Sequence, residues 1–328
     1  MARQGRVGPG APGEPDMILK QHLDLRKAVP YVRYELALGS AVSAPVYLLY
    51  AFAGVQQVAL PNLLPAVLGT ALAIFLGFRN SAAYARWGEA AQLWASIANY
   101  SRIFARLILT FVESHSHTPQ YNRDQAAAYH REMIYRHLAW VNALRLQLRA
   151  QSDWESLRPF LSDADWQQIA QKHNKPAALL LMQGHRIYDG MRSGTLQGFD
   201  SFQLEGCLAQ LSAYQAQCER LKAIPIPRQY TFFTRLFVWV FIVLIPFSFV
   251  QTFANANMAW LVIPVTLLLA FVFGIVERTG AVNEEPFENR ITDVPLSAYC
   301  VDIERDLREA LGETALPERL AAHNGYLF

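Results

Sequence analysis

The sequence predicts an all-α membrane protein with four transmembrane helices, set as two hairpins, and a large helical region outside the bilayer. Two charge-free stretches, 36–78 and 236–276, lack Asp, Glu, Lys, Arg and His altogether. A helix rising 1.5 Å per residue crosses the bilayer core in about 20 residues, so each stretch holds two spans and a turn. Polar residues mark the turns: Gln56, Gln57, Pro61 and Asn62 in the first stretch, and Gln251, Asn255 and Asn257 in the second. Between the stretches, residues 79–235 have the periodicity and polarity of water-facing helices.

Residues 1–16 are rich in Gly and Pro, lack an apolar run, and read as a disordered tail. Residues 17–86 hold a surface helix and the first two spans, at about 36–55 and 63–86. Pro45 falls inside the first and should bend it. Ala66, Gly69, Ala71, Ala73 and Gly77 make the second a close-packing helix. Its pattern runs on through Ala82–Ser114 without a stop signal.

Residues 87–227 read as a helical cytosolic region. Gln125–Gln151 places Tyr129, Met133, Ile134, His137, Leu138 and Val141 at three- and four-residue steps. Ser162 or Asp163 caps a short helix, Pro176 opens another that runs to Met191, and Asp200–Leu221 is a third. Pro225 and Pro227 break the chain before residues 228–278, which hold spans three and four at about 232–252 and 258–277. In residues 279–328, the segment Glu277–Pro295 reads as extended into the start of this region, followed by a helix over Leu296–Leu311.

Arg26, Lys27 and Arg33 precede the first span, and Arg79 and Arg86 follow the second. Arg228 and Arg235 precede the third, Arg278 follows the fourth, and neither turn carries Lys or Arg. The positive-inside rule then puts both termini and the middle region in the cytoplasm. The net charge of +2 comes from dispersed residues, with no nucleic-acid motif, so no nucleic-acid partner is expected. Cys207, Cys218 and Cys300 lack CxxC spacing and read as reduced thiols.

Stretches free of Asp, Glu, Lys, Arg and His argue for a passive pore over an ion-coupled carrier, and against acid–base chemistry at membrane depth. GxSxG, HExxH, P-loop and GxGxxG patterns are absent, so no enzyme and no cofactor is expected. His115 and His117 need a third ligand to hold zinc and read as surface histidines; His130 and His137, seven apart, read as packing residues. Thr70, Ile74 and Phe78 step by four and share one face of span two. Such a face can line an apolar constriction that gates by dewetting, or can simply pack against a neighbouring helix.

The run Phe75-Leu76-Gly77-Phe78-Arg79-Asn80-Ser81-Ala82-Ala83-Tyr84-Ala85-Arg86-Trp87 resembles the signature of bacterial bestrophins, with Gly77, Arg79, Asn80, Ser81, Arg86 and Trp87 as its anchors. Asn174-Lys175-Pro176, Glu285-Pro286-Phe287 and Asp293-Val294-Pro295-Leu296 are similar to that family too, in the same order. The resemblance implies a homopentameric channel in a bacterial inner membrane, passing small monovalent inorganic ions, chloride or sodium, without a cofactor. It implies a pore neck of Thr70, Ile74 and Phe78, with Thr70 polar where the family has an aliphatic residue, and a cytosolic aperture at Phe202. It also implies that the calcium clasp of animal members is missing, because residues 284–293 carry no acidic run and include Arg290; Glu284, Glu285 and Glu288 then read as a solvated loop. A membrane-anchored enzyme and an accessory subunit of another transporter are the alternatives.

Overall fold

A computed structural model describes residues 17–18, 29–117, 121–290, 292–320 and 326–327. The tail expected over 1–16 and most of the surface helix expected after it lie outside these residues; 29–32 form a 3-10 turn. The helices are α1 (Arg33–Ala51), α2 (Leu63–Ser114), α3 (Arg123–Leu148), α4 (Asp163–Ala170), α5 (Lys175–Arg192), α6 (Gly198–Ala223), α7 (Arg228–Asn255), α8 (Val262–Asn283) and α9 (Leu296–Ala310). Apart from a two-residue antiparallel pairing of Met17–Ile18 with Tyr326–Leu327, no strand occurs among the described residues.

The chain divides into two units. One comprises α1, the first part of α2, α7 and α8. Its core joins Leu72 and Leu76 of α2 to Val238, Phe241, Ile242 and Ile245 of α7 and to Ala270 of α8. Phe241 meets Phe273 edge to face at 4.7 Å, and Gly69 lets α2 lie directly against the Phe241 ring. Among the described residues, three helices are long and apolar enough to cross a membrane: the stretch containing α2, α7, and the stretch containing α8. Of the four spans expected, the first, α1, is not among them. α1 falls short because Glu35, Ser40, Ser43, Pro45, Tyr47 and Tyr50 dilute its apolar content. Pro45 and Pro246 sit inside helices that continue through them.

Charges flank the apolar stretches and turn inward. Arg79, 6% exposed, bridges Glu277 of α8 at 3.4 Å and Glu284 just beyond it at 3.3 Å, and donates to the Thr231 hydroxyl at 3.3 Å. Glu277, 3% exposed, lies inside α8 rather than beyond its end, so the extended segment expected from Glu277 is helical as far as Asn283. One residue on from Arg79, Asn80 donates to the Val276 carbonyl at 3.0 Å. Gly280 leaves room for this amide, since a Cβ there would press on the Asn80 Oδ1 and displace it. Arg86 donates from Nε to the Glu284 carbonyl at 2.8 Å.

The other unit is built on α3. Asn122 caps its start by accepting from the backbone of Asp124 and Gln125. α5, α6 and α9 pack around it, burying Met133, Ile134, Leu138, Trp140 and Leu144. Ser162 and Asn174 cap α4 and α5 as side-chain acceptors. Phe287 is buried, and Asp293 accepts from the Arg290 backbone N–H at 3.1 Å, closing the loop before α9. Cys207, Cys218 and Cys300 are buried and outside any disulfide. Burial pushes the Cys207 thiol up to about 11 and the Cys218 thiol up to about 12.

His137 is fully buried between the rings of Phe104 and Trp140, at 5.0 and 5.1 Å. Its Nε2 meets the Ser101 hydroxyl at 2.8 Å, and that hydroxyl already donates to the Ile97 carbonyl. The imidazole is therefore the donor, in its neutral Nε2–H form. Burial pushes its pKa down to about 3.

Two predictions follow from this packing. Below the ordinary histidine range of about 6.5, the unfolded chain takes up a proton that folded His137 refuses until about pH 3, so stability falls as pH drops through that window. The contribution is at most about 1.4 kcal/mol per pH unit, and His137→Phe, which keeps the ring stack, should flatten it in thermal unfolding curves taken at pH 7 and pH 4.5. Second, Arg79→Ala strands two buried carboxylates and should cost about 3–5 kcal/mol. Replacing Arg79, Glu277 and Glu284 together by Met, Leu and Leu should recover most of the loss in detergent-solubilised protein; a triple variant less stable than Arg79→Ala would refute the account.

Candidate functional site: the outward face of helix α2

The pairing of Arg79 fixes which way α2 faces. Successive helical residues turn by about 100°, while positions four apart nearly coincide. With Arg79 turned into the bundle beside Leu72, Leu76 and Ala83, the residues Thr70, Ile74 and Phe78 point out of it. Ile74 is 57% and Phe78 74% exposed, and Thr70 is exposed between them and Ala66. The three are brought onto one face, as their spacing predicts. Ala66, Ala71, Ala73 and Gly77 are exposed as well, so of the small residues expected to pack helices closely only Gly69 does so within this unit.

The signature residues divide between the two faces. Arg79 and Asn80 are turned inward and bonded, Gly77 and Ser81 face out, and Trp87 stacks on Tyr84 at 6.0 Å. Arg79 thus brings no net positive charge to the outward face. Its partner Glu284 corrects an expectation. Read as solvated, it is 7% exposed and ion-paired, because at the cap of α8 it meets Arg79 of α2 and Thr231 of α7. Glu288 is also engaged, by Lys222. Sequence reasoning missed this site because Arg79 and Glu284 are far apart in the chain; the signal available was that uncharged spans leave a flanking arginine needing partners.

Phe202 belongs to the other unit. It is 74% exposed in the first turns of α6, beside exposed Phe199. Asp200, between them, is buried. It closes a capping box with Gln197 and meets His115 Nε2 at 2.6 Å. Asp200 is therefore a structural carboxylate and not a free charge near Phe202. His115, read as a surface histidine, is half-buried in this contact. Glu205 lines an open groove of about 400 Å³ with Leu180, Leu181, Gly184, His185 and Leu208. Among the described residues, no three His, Cys, Asp or Glu side chains converge as a metal site.

The profile of bacterial and fungal bestrophin proteins matches residues 25–309. The chain is 30% identical over 260 residues to the voltage-dependent anion channel-forming protein YneE of Escherichia coli K12, covering 79% of this chain and 80% of that one. It is 31% identical over 256 residues to the voltage-dependent anion channel-forming protein RSc3414 of Ralstonia nicotianae, covering 78% and 79%. Among solved structures, a bacterial bestrophin homolog from Klebsiella pneumoniae superposes with a TM-score of 0.77 at 26% identity, covering 86% of this chain and 99% of that one. These relatives point to a membrane channel rather than an enzyme. By sequence profile, relatives and fold alike, the chain belongs to the bacterial and fungal bestrophin family.

Proposed function

We propose that five copies of the chain form a channel in the bacterial inner membrane and pass small monovalent inorganic ions, chloride or sodium, down their gradients. The observation that carries this reading is the outward row Thr70, Ile74 and Phe78 on α2, in a chain of the bestrophin family. A large exposed phenylalanine and isoleucine need cover from lipid or another subunit. A five-fold ring puts these side chains around a central path as its neck, and Phe202 around the aperture. An apolar ring blocks ions because stripping their water is costly, and conducts when the passage wets. In this reading α1 is the remaining span, completing four, and the Lys and Arg flanks hold both termini and the helical middle in the cytoplasm. The naming of the relatives after anion channels supports chloride as one cargo.

Ile74→Ala and Phe78→Ala should each raise single-channel current or open probability in planar bilayers, since each thins the apolar collar. Currents indistinguishable from native in both variants would remove these residues from the pore. The purified particle should have about five times the 37.0 kDa chain mass, measured by light scattering with the detergent contribution subtracted; a monomer would sink the assembly.

A further inference from the structure

Thr70 differs chemically from the rest of its row. Within residues 63–80, the hydrogen-bonding side chains are Thr70, Arg79 and Asn80, and the last two are turned inward and bonded. Thr70 is the one of these that faces out. Its hydroxyl donates to the carbonyl of Ala66, one turn back in the same helix, at 2.9 Å. The proton is therefore committed to the backbone, and what the side chain offers outward is the oxygen's remaining acceptor capacity. Thr234 and Thr266 make the same backbone bond, at 2.6 and 2.7 Å, but are fully buried and offer nothing outward.

We propose that Thr70 is a selectivity-determining residue: its copies form a ring of acceptor oxygens that eases cations, and not anions, through the constriction. The inference rests on the neck reading above. An aliphatic ring penalises both signs, because either ion must give up hydration without replacement. A hydroxyl oxygen with its proton turned away replaces a water ligand of a cation, and presents no donor to an anion. Two helical turns, about 12 Å, separate Thr70 from Phe78, so the ring acts at one end of the collar rather than throughout it.

The test is the sodium-to-chloride permeability ratio, read from reversal potentials in a ten-fold NaCl gradient across bilayers containing the purified channel. Thr70→Val keeps the shape and removes the oxygen. It should lower the ratio roughly three- to ten-fold, the range of one net hydrogen bond. Thr70→Ser should hold the native ratio, and Thr70→Ala should lower it as valine does, which covers the case of a valine variant that fails to assemble. Ser40→Ala removes an exposed hydroxyl with the same backbone bond on α1 and should leave the ratio alone. An unshifted ratio in Thr70→Val and Thr70→Ala overturns the proposal, as does an equal shift in Ser40→Ala. If Ile74→Ala raises current in the same preparation, only the Thr70 assignment falls. If Ile74→Ala and Phe78→Ala also conduct as native, the neck falls with it.

Discussion

A guanidinium held out of water is the constraint on which the arrangement of α2 depends. Arg79 sits at the end of an uncharged stretch, where a bare charge would be costly to bury. The fold answers with two carboxylates, Glu277 and Glu284, and a hydroxyl, Thr231. Each lies on or beside a different part of the bundle from α2, so satisfying the charge pins the rotation of α2 about its own axis. Asn80 adds a second pin through the Val276 carbonyl. With those two residues inward, helical geometry leaves the row ending at Phe78 no direction but outward. The cluster carries one more negative than positive side chain, and Arg86 reaches its edge through a backbone carbonyl.

Much of this was legible in the chain. Both apolar stretches, the turns that split them, the long continuation of α2 and a cap at Ser162 or Asp163, which the structure places on Ser162, follow from composition and period alone. The outward row follows from four-residue spacing together with the signature run. The rest was hidden for physical reasons. Glu284 sits in a run of acidic and polar residues that looks solvent-facing, and only the approach of Arg79 across the fold makes it a buried partner. Asp200 looks like a free acid near Phe202, yet it is consumed by its own helix start and by His115, 85 residues away in the chain. α1 is ambiguous on its own because its hydroxyls, proline and Glu35 lower its apolar content, and Glu35 turns out to be buried at 3% exposure.

Around α3, buried polar side chains satisfy one another: Trp140 donates to Gln215, and Gln215 and Gln147 both donate to Glu219. In the unit carrying α7 and α8, the Thr234 and Thr266 hydroxyls turn back on their own helices and donate to carbonyls one turn earlier. Thr70 follows the same local rule on an exposed face, and there the consequence differs: an economy suited to a greasy environment leaves one oxygen facing outward.

The three thiols have a practical consequence. All lie buried, and Cys207 and Cys218, whose thiols burial pushes up to about 11 and about 12, hold essentially no thiolate at neutral pH. Maleimide dyes and spin labels therefore meet a chemically silent native background. A single cysteine introduced on the exposed side of α2 becomes an addressable reporter without first stripping the chain of its own sulfur.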